Sequence, residues 1–323
     1  MGHPHNSYTL VADIGGTNTR VALANGLQIV DGTIRRYQNA VFAGFEAVLQ
    51  QYIADESDVN PLAACVAVAG PVREGRATLT NLDWTIDKDT LVRATGAQTV
   101  AILNDLQAQG HALDHLASNK IRTILHGSKA DSHAAKLVIG VGTGFNAAPV
   151  LELERGRVVI PSECGHANLP IRTEQELRLC QFVSSAHDFP AIEDVLSGRG
   201  LERVYAFLGQ ESDEPRDRAA HDIMATCNDG SDPRAEDAAR IFTRILGTVC
   251  GNLSLIQLPF GGVYLAGGVA RAFAPHLQAF NFCEAFRDKG RFAGFMDNFP
   301  VHVIEDDYAA LTGSAAHLHA LNA

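Results

Sequence analysis

The segment Asp13-Ile14-Gly15-Gly16-Thr17-Asn18 sets an acid near the end of an apolar run and follows it with two glycines and two side-chain donors. Glycines let backbone N–H groups approach an anion closely. A buried carboxylate at such a point is costly unless a metal or a donor partners it. The pattern points to phosphate oxygens against the turn and Mg2+ held by Asp13 through water. No Gly-Lys-Ser/Thr is present and the turn enters a strand, which excludes a Walker A loop and a dinucleotide fingerprint. A decorated hairpin is the plainer alternative.

Four more clusters could do chemistry. Gly142-Thr143-Gly144 repeats the glycine turn without the acid, so two turns could clamp one polyphosphate. Asn104-Asp105 sits where a strand passes into a helix: either a helix cap or a general base for a substrate hydroxyl, at the strand end where α/β sheets bind ligands. In Ser162-Glu163-Cys164-Gly165-His166, the acid and the imidazole could converge on one polyol, or simply face water. Glu193 reads as the start of a helix, where an acid is favoured by the helix dipole. Gly267-Gly268 closes a buried strand, Val263–Ala266, and would let a flat adenine and ribose lie against the backbone.

These residues need a scaffold that brings strand ends together. Thr9–Ile14, Thr19–Ala24 and Leu27–Ile34 read as strands, with Asn25-Gly26 as a tight hairpin turn. Phe42, Phe45, Val48, Leu49, Tyr52 and Ile53 have helical spacing. Ala63–Ala69 and Thr99–Leu103 are further buried strands. Ser118–Ser132 reads as an irregular crossing, and Gly209–Pro233 as an acidic surface excursion. Leu10–Thr17 aligns without a gap on Leu137–Gly144, an offset of 127 residues, and a strand pair follows each time. That order argues an internal duplication. Strands alternating with helices argue α/β. A long helical stripe ends at Pro259, and Ala309–Leu321 reads as a closing helix.

Composition narrows the function. The chain has 323 residues and a net charge of −11, with no basic block, which argues against nucleic acid. No apolar run approaches the roughly 18 residues of a membrane span, and the polar start is unlike a secretory signal. Six scattered cysteines and no CxxC pair suit reduced thiols in the cytoplasm.

Taken together, LVADIGGTNTRVAL, LTNLDW, ILNDLQA, GVGTG, PSECGH, EDVLSGRGLERVY, FGGVYLAGGV, FRDKGRF and LTGSAAHL resemble the bacterial ATP-dependent glucokinases of the actin/hexokinase/heat-shock-chaperone superfamily, from about Tyr8 to Leu321. The resemblance implies a duplicated actin-like, ribonuclease H-like α/β fold of two lobes, residues 1–114 with 306–323 and residues 115–305, with ATP and glucose in the cleft between them. It implies that Asp105 is the catalytic base for the sugar 6-hydroxyl. Asn81, Asn104, Glu163, His166 and Glu193 would bind the sugar, and Asp13 would serve Mg2+. Gly15, Gly16, Thr17 and Asn18 would form the first phosphate turn and Gly142, Thr143 and Gly144 the second, with Gly267 and Gly268 at the adenosine. A cytoplasmic homodimer is implied as well. A kinase for another hexose, or a sugar-binding regulator without turnover, stays open as an alternative. Three positions depart from the family pattern. Asn146 stands where the second phosphate loop ends in glycine. Cys164 replaces a glycine of the sugar loop. Tyr308 precedes Ala309-Ala310 where the family often carries Asn before Pro-Gly or a similar pair.

Overall fold

The computed structural model describes residues 8–57, 59–79 and 82–322. The chain divides into two compact units. One takes the chain as far as Ser118, then Arg155–Val159 and the chain from Asp306 onward; the other takes Asn119–Glu154 and Ile160–Glu305.

In the first unit the sheet runs in the order Gln28–Ile29, Asn18–Asn25, Thr9–Ile14, Ala63–Val68, Thr99–Asn104, with Arg35–Gln38 also paired to Asn18–Asn25. The last three strands are parallel and the first pair is an antiparallel hairpin. All six residues of Ala63–Val68 are buried, the signature of a strand covered on both faces. Alternate residues serve opposite faces. Leu10, Ala12 and Ile14 pack with Phe45, Val48, Leu49 and Tyr52 of the helix Phe45–Asp55. Val11 packs on the other side with Leu311, Ala315 and Leu318 of the helix Ala309–Asn322. That helix lies so close to the helix Asp105–Ala112 that a Cβ on Gly313 would fall 1.7 Å from the Ala108 carbonyl oxygen.

The second unit repeats the plan. Phe145–Leu153, Lys136–Val141, Val263–Ala266, Val301–Ile304 and Ile121–Leu125 are neighbours in that order. Lys136–Val141 is antiparallel to the strand after it and parallel to Val263–Ala266, as Thr9–Ile14 is to its own neighbours. The expected duplication is thus present as topology. The helix Pro233–Gln257 carries the core of this unit. Asp232 caps its start, Pro233 fills a first-turn position that needs no N–H, and Leu258 ends it in the left-handed region at φ 49°. Phe242 and Phe273 stack within that core at 4.3 Å between centroids.

The structure differs from the sequence expectations at several points. The run Leu27–Ile34 is not one strand: Gln28–Ile29 is followed by a turn, and the chain resumes pairing at Arg35–Gln38. The supposed irregular crossing contains the edge strand Ile121–Leu125, whose Arg122 and Thr123 face outward and disguise it as polar loop. The acidic excursion holds a helix, Ala220–Asp229, that buries Ile223, Met224 and Cys227. Residues 155–159, expected in the second lobe, cluster with the first unit. The Arg157 guanidinium donates to the Gly110 and His111 carbonyls at 3.0 and 3.2 Å and pairs with Asp114.

Candidate functional site

The first unit places Asp13 with its glycine turn, and Asp105, at the ends of two parallel strands, Thr9–Ile14 and Thr99–Asn104, with Ala63–Val68 between them. Asp13 is cross-strand from Arg20, whose guanidinium donates to its Oδ2 at 3.1 Å. Burial pushes the Asp13 carboxyl above the usual carboxylate range, and Arg20 opposes that shift. The Gly15 N–H donates to the Asn18 carbonyl at 3.0 Å, which closes the turn. Sequence reasoning missed the side chain that holds this turn in place. Asn39, 1% exposed, donates from Nδ2 to the Gly15 carbonyl at 2.8 Å and accepts from Thr19 Oγ1 at 2.8 Å. Nothing in the local sequence links residue 39 to residue 15; the pairing of Arg35–Gln38 with Asn18–Val21 brings it there.

Asn104 and Asp105 do what a cap does, and more. Asn104 Oδ1 accepts from the Leu106 N–H at 2.9 Å, and Gln107 Oε1 accepts from the Asn104 N–H at 3.0 Å, a full capping box. Asn104 Nδ2 also donates to the Gly70 carbonyl at 3.0 Å, tying the helix start to the neighbouring strand's exit. Asp105 is the first residue of that helix, with Oδ1 accepting from the Leu106 N–H at 2.9 Å. Its pKa is raised to about 6, first by burial and then by the Asp13 charge. A carboxylate with that value is ionised at neutral pH and still basic enough to accept a proton.

The second unit gathers Gly142-Thr143-Gly144, Glu163, His166 and Glu193. Here the structure corrects one expectation. Glu193 does not begin a helix; the helix starts at Gly198, capped by Ser197. Glu193 Oε2 instead accepts from the Phe145 N–H at 2.9 Å, directly after the glycine turn. A side chain at 144 would displace that carboxylate, because a Cβ there would lie 2.4 Å from Glu193 Oε2. The Glu193 N–H donates to the Gly165 carbonyl at 2.9 Å, so the second glycine turn and the 163–166 loop share one anchor. Glu163 precedes a single 3-10 turn, Cys164–His166, and both Glu163 and His166 are exposed. Gly267, at φ 105°, ends its strand where a Cβ would meet the Val141 carbonyl at 2.5 Å, while Gly268 faces open space. Asn81 lies outside the described residues.

Among the described residues no group of three or more His, Cys, Asp or Glu is arranged to hold a metal. The donor set fits Mg2+ nonetheless. Mg2+ is commonly held by one or two carboxylates, with waters and substrate phosphates completing the octahedron. Asp13 beside a glycine turn, with Asp105 near enough to feel its charge, supplies that minimum.

The family model for glucokinase matches residues 10–321. A glucokinase from Brucella suis is 33% identical over 308 residues, which cover 95% of this chain and 90% of the relative. The crystal structure of a glucokinase from an Antarctic psychrotroph superposes with a TM-score of 0.85 at 29% identity, over 97% of this chain and 99% of that one. The chain belongs to the glucokinase family. Its fold is the duplicated actin-like ATPase fold. A glucokinase of the related ROK family from Streptomyces griseus, solved with glucose and AMPPNP, shares that fold at a TM-score of 0.64 and 21% identity, over 96% of this chain and 98% of its own.

The three departing positions have distinct surroundings. Cys164 sits in the short 3-10 turn, its thiol pushed up chiefly by burial, and like all six cysteines it is free. Tyr308 places its ring under the Arg20 guanidinium, 6.0 Å from the centroid, so Arg20 contacts both Asp13 and Tyr308. Asn146 is not in a left-handed conformation; it is the second residue of a strand, opposite Gly140.

Proposed function

We propose that this chain transfers the γ-phosphoryl group of ATP to the 6-hydroxyl of glucose, with Asp105 as general base. The observation that carries the reading is Asp105 itself: a carboxylate at a parallel strand's C-terminal end, its pKa raised to about 6, in electrostatic contact with Asp13. The Asp105 carboxylate takes the proton from the sugar O6–H. The oxygen forms its bond to the γ-phosphorus as the bond from that phosphorus to the β,γ-bridging oxygen breaks, and ADP departs. The proton remains on Asp105 until solvent removes it. Phosphoryl transfer depends mainly on positioning and on stabilising charge. The turns 15–18 and 142–144 are assigned to the phosphates, through N–H groups other than those of Gly15 and Gly142, which close the turns on the Asn18 and Gly144 carbonyls, and Gly267 and Gly268 are assigned to the adenosine. Mg2+, held at Asp13, would neutralise phosphate charge.

Asn104, Glu163, His166 and Glu193 are assigned to the sugar hydroxyls, and Asn81 to the same set. Asn104 and Glu193 already hold backbone groups through part of their polar capacity. Each is thereby oriented before sugar binds, which lowers the ordering cost of binding. A sugar lacking a recognised hydroxyl would leave one of these groups unpaired, and such sites discriminate strongly. Membership in the family supports glucose as the preferred hexose, a cytoplasmic location and a homodimer. The test is ADP release with Mg-ATP across glucose, fructose, mannose and N-acetylglucosamine. Glucose should give the highest kcat/KM; a higher value for another hexose would reassign the substrate, and no sugar-dependent ADP would favour a regulator.

A further inference from the structure

We propose that Asn146 is a positioning residue for sugar binding, acting through Glu163; the inference rests on the reading of Glu163 as a sugar ligand. The family pattern has glycine at this position, which offers no side chain. Here the amide makes a fully paired clamp between the strand Phe145–Leu153 and the loop 162–164. Oδ1 accepts from the Cys164 N–H at 3.1 Å and from its neighbour's Ala147 N–H at 2.9 Å. Nδ2 donates to the Ser162 carbonyl and to Glu163 Oε2, the latter at 3.1 Å. The amide orientation is over-determined, because donors surround Oδ1 and acceptors surround Nδ2.

The clamp does two things. It fixes the backbone on both sides of Glu163, and it occupies one carboxylate oxygen, leaving Oε1 turned in a set direction. Glu163 is otherwise exposed on a short loop, and an exposed carboxylate must lose rotamer freedom when it binds a hydroxyl. Asn146 removes part of that freedom in advance. The rest of the loop is anchored independently: Ser162 Oγ donates to the Ala147 carbonyl at 2.7 Å, and a Cβ on Gly165 would lie 1.9 Å from the Phe145 carbonyl oxygen. Removing the amide should therefore loosen Glu163 without unfolding the loop.

The test is a double-mutant cycle on the full-length enzyme, reading KM for glucose, KM for ATP, kcat and Tm. N146A should raise the glucose KM up to about tenfold, the scale of the side-chain ordering entropy that Glu163 must then lose on binding, with KM for ATP and kcat within about threefold. In an E163A background the same substitution should change the glucose KM by less than about twofold, since its effect runs through the missing carboxylate. N146D keeps the acceptor for the Cys164 and Ala147 N–H groups but turns a carboxylate toward Glu163, and it should raise the glucose KM further than N146A. An N146A effect equal in both backgrounds, or an unchanged glucose KM in N146A and N146D, would overturn the inference. If E163A itself leaves the glucose KM unchanged, Glu163 is not a sugar ligand, and the site assignment fails together with the inference.

Discussion

At the scale of single residues, two carboxylates set each other's chemistry. Asp105 is held near a pKa of about 6 by burial and by the charge on Asp13. Only the ionised form can accept the sugar proton, so kcat/KM should fall with unit slope as pH drops below about 6 and level off above it. D13N removes the like charge and should move that acid limb to lower pH, even where overall turnover is reduced; a limb that stays put or rises would contradict the coupling. Stability follows from the same shift. A carboxyl whose folded pKa lies above its unfolded value destabilises the fold at pH above about 6, and the penalty disappears below the unfolded value near 4. D105N should therefore raise Tm at pH 8, by at most roughly 3 kcal/mol of stability, and have little effect on Tm at pH 4. Asp13, Asn104 and Asp105 were legible in the sequence because their roles depend on neighbours in the chain: an acid before glycines, a polar pair at a strand-to-helix junction. Arg20 and Asn39 were not, since each acts across a strand pairing that no local pattern records.

At the scale of elements, close backbone approaches position the site, and glycines permit them. G144A would drive a methyl group into the Glu193 carboxylate that fixes the second glycine turn. It should raise KM for ATP or glucose by about tenfold or more while Tm falls modestly, because the obstructing atoms belong to a side chain that can move. G313A is a different case. Its methyl would meet the Ala108 carbonyl, backbone of the helix that begins with Asp105. That substitution should cost about 1–3 kcal/mol, the range for overpacking, and lower kcat by displacing Asp105; native stability and kcat together would show that the two helices can separate freely. The main strands and the long helix Pro233–Gln257 were legible from apolar runs and periodicity. The helix Ala220–Asp229 was hidden because only Ile223, Met224 and Cys227 mark its buried side within a charged stretch. The place of Glu193 was misjudged for a related reason: an acid shortly before a helical stripe reads as a helix start until the Phe145 N–H is seen to be its partner.

For the whole molecule, the duplication explains why two glycine turns occur 127 residues apart. Each unit contains an antiparallel pair flanked by parallel strands, and each glycine turn links the two strands of that pair. Only the first unit's turn follows an acid, and Asp105, the proposed base, lies in that unit. The net charge of −11 is compatible with the proposed polyanionic substrate because the phosphates are assigned to backbone N–H groups rather than to lysines. The proposed reaction is phosphorylation of glucose with Asp105 as the base. The most direct measurement is glucose 6-phosphate formed from glucose and Mg-ATP by the native chain and by D105N, at matched folding and saturating substrates. The expected result is rapid formation by the native chain and a loss of about 10²–10⁴-fold in D105N, the usual scale of a general base. A D105N rate within a few-fold of native, or no product from the native chain, would contradict it.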